Sequence, residues 1–187
     1  MSDEVVIQFS TTRNSWDWWP PFFPNYASWL IRHVSHSPFS HGDLELPGGA
    51  LLGASNSPKA PVIRGNPCGV AVRPPDYENY GRKCRMVIET PLAEKIRATA
   101  LTQLGKPFDN KALYRFLSDA VPTPRATDWL EETSWYCFEL LAYAFYASGY
   151  WGDPPNVWPN NRVSGTDLMM IFLFDPRWSN RETFWDD

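Results

Sequence analysis

The chain contains few cysteines and few histidines for its length. Its 187 residues include only 3 Cys and 3 His. A small, odd number of cysteines does not build a disulfide framework, so we expect reduced thiols. The 17 Lys and Arg residues are outnumbered by 21 Asp and Glu, and the net charge of −4 argues against nucleic acid as the main partner.

Long apolar runs and internal repeats are also missing from the sequence. No apolar stretch is long enough to span a bilayer, and the N-terminal "MSDEVVIQFSTT" is too acidic and too weakly apolar for a signal peptide. We find no repeat and no low-complexity segment. We therefore expect a single domain over residues 1–187 that is made in the cytosol and reaches any other compartment within a virion or at lysis.

Tryptophan and proline, by contrast, are abundant, with 10 Trp and 18 Pro. They concentrate in a Trp/Pro-rich stretch near residues 14–25 and in the C-terminal segment 150–187. Because proline cannot continue a helix, we expect both regions to be rich in loops whose aromatic rings pack on the core. An aromatic groove that binds a sugar or a protein partner is the alternative interpretation.

The remaining sequence alternates between strand and helix signals. Strands are predicted for "EVVIQF", "GVAVRP" and "CRMVIET", and a hairpin is predicted around Pro47-Gly48-Gly49. A helix is predicted to begin at Pro91, capped by Thr90 and ended by Gly105, and another to follow Asp109. This order of elements is typical of an α+β domain with an antiparallel sheet.

Cys137 stands at the front of the apolar stretch "SWYCFELLAYAFYASGYW". The pattern predicts a helix capped by Thr133 or Ser134 and ended by Gly149, and with Ser134 as the cap Cys137 occupies its third position. Unpaired N–H groups at a helix start favour a thiolate, so Cys137 is a candidate nucleophile. The alternative is a cysteine that only fills the core. Cys68 and Cys84 lie at strand beginnings without that helical setting, and we interpret both as structural.

A thiolate requires a nearby base, and the candidates are His33, His36 and His41. His41 begins the predicted strand "SHGDLEL", which would hold its ring rigidly against the helix of Cys137. Three histidines within nine residues also suggest a zinc site. The segment "HVSHSPFSH" lacks the helical HExxH spacing, however, so we expect no metal and no cofactor.

Several segments, taken in order, resemble the circularly permuted papain-fold hydrolases, the NlpC-like and YiiX-like group, in a form common in bacteriophage genomes. They are "VVIQF", "WLIRHV", "PFSHGDLELPGGALLGA", "GVAVRPPDY", "LGKPFDNKALYRFL", "WYCFELLAYAFYASG" and "NRVSGTDLM". The resemblance implies a permuted papain-like fold, with an antiparallel sheet packed on the helix that carries the nucleophile. The family's catalytic His and Cys correspond to His41 and Cys137. Phe138 replaces the small Ser that usually follows the cysteine.

The resemblance also implies a third polar residue, on the strand after the histidine, that orients the imidazole. A two-residue turn in the predicted hairpin would place His41 opposite Asn56, whereas a three-residue turn would place it opposite Ser55. Directly opposed residues lie close enough to hydrogen-bond, so Ser55 and Asn56 are the candidates. Asp43 comes third, because a residue two positions along the same strand has a poorer reach.

Together these features predict a cysteine hydrolase that cleaves an amide or peptide bond. Cys137 would attack as a thiolate, His41 would transfer the proton, and the backbone N–H of Cys137 with one further donor would bind the oxyanion. The resemblance implies bacterial peptidoglycan as the substrate and other virion proteins as further partners. The alternatives are a virion, tail or assembly protein that keeps the fold without turnover, and a hydrolase of thioesters, lipids or isopeptides.

Overall fold

The computed structural model describes residues 3–12, 31–33, 37–78, 80–111, 133–151, 165–174 and 183–186. The strands are β1 (Glu4–Thr12), β2 (His41–Glu45), β3 (Leu51–Ser55), β4 (Arg64–Gly65), β5 (Gly69–Arg73), β6 (Tyr80–Glu89) and β7 (Thr183–Asp186). The helices are α1 (Ala93–Leu101), α2 (Cys137–Ala147) and α3 (Gly165–Phe174).

The strands form one sheet in the order β4-β5-β3-β2-β1-β6-β7. Every neighbouring pair in it is antiparallel. Together with the helices this is an α+β structure, which confirms the predicted class. The two-residue β4 and the C-terminal β7 were not predicted, because neither has the apolar alternation of a half-buried strand.

The two faces of the sheet differ in chemistry. One face packs against the helices in a single apolar core, whose members include Val5, Ile7 and Phe9 of β1, Leu44 of β2, Val70 and Val72 of β5, Ile96 of α1, Leu141 and Phe145 of α2, and Phe172 of α3. Since side chains alternate along a strand, Gln8, Ser10, His41, Asp43 and Arg73 belong to the other face. Four of these five are buried, and His41 is partly exposed. The second face therefore buries polar side chains beside a small apolar cluster of Leu51, Ala60 and Tyr77.

The hairpin between β2 and β3 has the longer of the two turns considered. The Leu46 amide donates to the Ala50 carbonyl oxygen at 2.7 Å, so residues 47–49 form a three-residue turn. Gly48 and Gly49 both have positive φ, at 89° and 84°, a conformation that glycine adopts without strain. Of the two alternatives, the two-residue turn with His41 opposite Asn56 is wrong. The observed register, continued along the strands, places His41 level with Ser55.

The first predicted helix lies close to its expected place. The hydroxyl of Thr90 accepts a hydrogen bond from the Leu92 amide at 3.2 Å, and regular helix begins at Ala93 rather than at Pro91. The helix ends at Leu101, and Gly105 with φ of 88° then turns the chain. The N-cap residue is Leu92 and no side chain caps the helix, so the expected capping by Thr90 is wrong. The Thr90 hydroxyl instead closes a short turn before the helix.

Helix α2 begins later than the sequence predicted. Trp135 is held in extended conformation by a parallel bridge to Phe108, and its amide donates to the Pro107 carbonyl oxygen at 3.0 Å. This pairing prevents the chain from turning into helix at Ser134, so Tyr136 becomes the N-cap. Cys137 is consequently the first helical residue and not the third. The helix ends before Gly149, whose φ is 82°.

The C-terminal segment 150–187 contains more regular structure than the loops we expected. Helix α3 occupies Gly165–Phe174 and β7 occupies Thr183–Asp186. The sequence "GTDLMMIFLF" is apolar on nearly all sides, so it shows no amphipathic period although it forms a helix. The Trp/Pro-rich stretch 14–25, His36 and most of the helix predicted to follow Asp109 lie outside the described residues. In the described ranges, no helix has the length and apolar character needed to cross a membrane.

Candidate functional site

Cys137 and His41 meet where the start of α2 approaches the start of β2. The sulfur of Cys137 lies 4.0 Å from the carbonyl oxygen of Ser40, the residue before His41. The thiol is also near enough to His41 to help raise the pKa of the imidazole. Because His41 is the first residue of its strand, its ring can reach past the strand end to the helix. The structure thus brings together the two residues predicted to react.

Two side chains hold the imidazole from its other side. Nε2 of His41 lies 3.0 Å from Oδ1 of Asp43 and 2.6 Å from the hydroxyl of Tyr77. The same hydroxyl donates to the Asp43 carboxylate, at 3.1 Å from Oδ2 and 3.3 Å from Oδ1. Asp43 is fully buried and Tyr77 nearly so. Since Nε2 is engaged by this pair, Nδ1 is the ring nitrogen left for the sulfur.

Asp43 reaches the imidazole because its neighbour on β3 lacks a side chain. A Cβ atom on Gly53 would lie 1.7 Å from Oδ1 of Asp43, which no real contact allows. The carboxylate therefore occupies the space above Gly53 and bends along its own strand toward His41. Along an ordinary strand a residue two positions away has a poorer reach, but the gap that Gly53 leaves on the paired strand lets Asp43 contact the ring.

Ser55 and Asn56, the two candidates for orienting the ring, have other surroundings. The hydroxyl of Ser55 donates to Oε1 of Glu78 at 3.3 Å and accepts from the Ser57 amide at 3.2 Å. Asn56 is exposed. Although the strand register places Ser55 level with His41, the contacts of Nε2 are to Asp43 and Tyr77. The side chains that contact the ring are thus not those that cross-strand counting suggested.

The surroundings of His41 favour its charged form. Burial alone would lower the pKa of the imidazole. The charges of Asp43 and Cys137, together with hydrogen bonds to both side chains, outweigh this effect and raise the pKa of His41 well above its ordinary value of 6.5. The site is therefore suited to an imidazolium that lies between the Asp43 carboxylate and the sulfur of Cys137.

Tyr77 was not singled out in the sequence. It lies in the loop "PPDYEN" after β5, where its amide donates to the Pro74 carbonyl oxygen at 3.3 Å in a turn. The proline pair that forces this turn was visible, as was a tyrosine among polar residues. Nothing local shows that the turn folds back over β2, because that depends on the position of β5 in the sheet. Only the spatial strand order brings the phenol to His41.

The other cysteines and histidines have different environments. Cys84 is buried in β6, and burial raises the pKa of its thiol to about 11. Cys68 is exposed, and so is His33. Among the described residues, which exclude His36, no three His, Cys, Asp or Glu side chains are grouped as metal ligands would be.

Phe138, the residue that departs from the family pattern, is a core residue and not part of the site. Its ring packs against two glycines, since a Cβ on Gly42 or on Gly165 would come within 2.9 Å and 2.8 Å of it respectively. It also stacks with Phe9 at a centroid distance of 6.3 Å. The large ring thus fills space that these glycines leave open, and Cys137 keeps its own surroundings.

Comparisons with known proteins add no functional assignment. The chain matches no protein-family model, and no curated protein matches it significantly. The functional argument therefore depends on the arrangement of Cys137, His41, Asp43 and Tyr77.

Proposed function

We propose that the protein is a cysteine hydrolase that cleaves an amide or peptide bond. The observation that carries this proposal is the chain of contacts from Cys137 through His41 to Asp43 and Tyr77. A thiol at a helix start, a histidine beside it and a buried polar group behind the histidine are the three parts of a thiol-dependent acyl-transfer site. His41 and Cys137 keep their predicted roles, while Asp43 and Tyr77 take the orienting role.

The first half of the reaction forms an acyl-enzyme. Nδ1 of His41 accepts the thiol proton, and the Cys137 thiolate attacks the carbonyl carbon. The oxyanion that forms is bound by the backbone N–H of Cys137, which has no intrahelical acceptor because it lies in the first turn of α2, and by one further donor. The intermediate collapses, the C–N bond breaks, and the imidazolium returns its proton to the leaving amine.

The second half releases the acid. A water molecule gives a proton to His41 as its oxygen attacks the thioester carbonyl, and the thiolate leaves and is reprotonated. Asp43 and Tyr77 remain in place throughout. They hold the ring through Nε2 and stabilise its positive charge, so the proton moves only at Nδ1.

We further infer a permuted papain-like fold and a peptidoglycan substrate. The order of the site residues supports the fold, because the strand with His41 precedes the helix with Cys137 in the chain and the two elements touch. The substrate is supported by the resemblance of the sequence segments to a family rich in cell-wall hydrolases. A phage enzyme carried in a virion or released at lysis would meet this polymer.

Digestion of purified peptidoglycan, with separation of the products by mass, tests the proposal. We expect cleavage within the stem peptides by the wild type and none by Cys137→Ala. Cys68→Ala serves as the matched control, because it removes an exposed thiol away from the site. Intact wall from a protein whose Cys137 still reacts with a thiol reagent would exclude this substrate. Activity on a panel of thioester, lipid and isopeptide substrates would then separate another hydrolase from a virion protein without turnover.

A further inference from the structure

Arg73 is a buried cation beside the candidate site whose presence the fold alone does not explain. It is the last residue of β5 and its side chain is 0% exposed. Among the described residues it forms no ion pair. Nη2 donates to the carbonyl oxygens of Pro67 and Gly69, at 3.1 and 3.3 Å, whereas Nε and Nη1 are buried without a partner.

A guanidinium in this state is costly for stability. Removing a charge from water carries a large desolvation penalty, and two carbonyl contacts compensate only part of it. Even a buried ion pair often contributes no more to stability than apolar side chains of similar volume. A function that depends on the guanidinium would account for an arginine at this position.

An aromatic ring, that of Tyr77, lies under the guanidinium. The Cζ atom of Arg73 lies 5.1 Å from the centre of that ring, within the range of a cation–π contact. At the other end of the same ring, the hydroxyl contacts both His41 and Asp43. Arg73 itself is anchored to the start of β5 through Pro67 and Gly69. It therefore connects the sheet to the phenol that holds the imidazole.

We propose that Arg73 is a positioning residue that acts through Tyr77, holding the phenol where it accepts from Nε2 of His41 and donates to Asp43. This inference rests on the proposed function, since it assigns a role within the same site. A planar guanidinium lies flat on an aromatic face, whereas a lysine ammonium does not, so the stacking depends on arginine in particular. Arg73 touches none of the reacting atoms, and its effect reaches the thiol only through the ring of His41.

The test uses two reagents that alkylate Cys137 and differ in charge. Iodoacetate is an anion that a cationic imidazole attracts, while iodoacetamide is neutral. Mass spectrometry of the Cys137 peptide gives the alkylation rate with each reagent. Both rates are proportional to the fraction of Cys137 present as thiolate, so this fraction cancels when one rate is divided by the other. The ratio falls at the pH where His41 loses its proton, and this midpoint can be measured without any substrate.

The expected shifts separate positioning from a direct charge effect. Tyr77→Phe removes the oxygen that accepts from Nε2, so the midpoint falls by about one pH unit. Arg73→Met and Arg73→Lys should each lower the midpoint by at least half as much. The double variant Arg73→Met/Tyr77→Phe should have the same midpoint as Tyr77→Phe alone, because Arg73 acts only through Tyr77. Loss of a positive charge acting directly on His41 would instead raise the midpoint. Arg64→Met, at an exposed arginine of β4, should leave it unchanged.

An upward shift in Arg73→Met, or a lower melting temperature with an unchanged midpoint, overturns the inference. Additive shifts in the double variant also overturn it. If Arg73→Met does not fold, Arg73→Lys decides by the same criteria. A wild type that shows the expected midpoint but no Cys137-dependent hydrolysis contradicts the proposed function and leaves the positioning role intact.

Discussion

The hydroxyl oxygen of Tyr77 lies 2.6 Å from Nε2 of His41, although 36 positions separate the two residues in the chain. The same hydroxyl donates to Asp43, so the imidazole, the phenol and the carboxylate form a closed set of contacts. The ring of His41 is thereby fixed from the side opposite the thiol. An imidazole held in this way can transfer a proton at Nδ1 without turning.

Substitutions at Asp43 and Tyr77 should reduce turnover more than substrate binding. We expect Asp43→Asn to lower kcat on the order of 100-fold and Tyr77→Phe on the order of 10-fold, with little change in KM, because a misplaced base acts mainly on the transition state. Ser55→Ala and Asn56→Ala are the matched controls and should keep most activity. Steady-state kinetics on the peptide substrate measures the difference. A loss in Ser55→Ala as large as that in Asp43→Asn would show that the ring is oriented from β3 instead.

The three cysteines should differ in reactivity at pH 6. A free thiol has a pKa of about 8.5 and is almost fully protonated there. We expect iodoacetamide to label Cys137 first, because the neighbouring imidazolium stabilises its thiolate. Cys84 should react last, since burial raises the pKa of its thiol to about 11. Peptide mapping of the labelled protein gives the order, and faster labelling of the exposed Cys68 would contradict an activated Cys137.

His41 should be required for activity, whereas the exposed His33 should not. We expect His41→Ala to abolish hydrolysis and His33→Ala to keep most of it. In the wild type, kcat/KM should fall on the alkaline side only at a pH well above 6.5, because the contacts with Asp43 and Cys137 raise the pKa of His41. A pH–rate profile checks both points. His36→Ala extends the test to the third histidine, and equal losses in all three variants together with bound zinc would favour a metal site.

His41 also gives stability a defined pH dependence. Its folded pKa is raised, so its contribution is fully present below the unfolded value of about 6.5 and is lost as the pH rises through the folded value. Between the unfolded and the folded pKa of His41, the free energy of unfolding of the wild type should therefore fall with rising pH relative to that of His41→Gln. Urea denaturation of both proteins across the range measures the difference. A constant difference would mean that the folded and unfolded states bind this proton equally.

Glu139 should make the protein less stable as the pH rises. Burial raises the pKa of this carboxyl to about 8, the amide of Tyr136 lowers it, and the charge of Asp109 raises it further. Between about pH 4.3, the unfolded value, and this folded value the native state binds the extra proton, so stability falls with increasing pH.

Glu139→Gln keeps an oxygen for the Tyr136 amide but cannot ionise. The free energy of unfolding of this variant should exceed that of the wild type only slightly at pH 5. The difference should grow with pH and reach on the order of 3 kcal/mol at pH 8. Glu94→Gln, at an exposed first-turn position of α1, is the control and should show no such increase. Urea denaturation at both pH values decides, and equal advantages at pH 5 and pH 8 would show that Glu139 is ionised in the native state throughout.

The sequence by itself determined β1, β2, β3, β5 and β6, the helix of Cys137 and the α+β class. These follow from local patterns. The Pro47-Gly48-Gly49 turn signal between two short stretches specifies the hairpin of β2 and β3, and an apolar helical run follows Cys137. The sequence also supplied His41 and Cys137 as candidates, since a histidine at a strand start and a cysteine at a helix start are visible without a structure.

Only the tertiary structure decided which side chains contact the imidazole. The turn length, the carboxylate above Gly53 and the return of Tyr77 over β2 each depend on atoms from distant segments. Helix α2 begins at Cys137 because Trp135 pairs with Phe108, which the helix sequence cannot reveal. Periodicity reports which face of an element is buried, but the contacts of a single polar group depend on the register and order of strands far apart in the chain.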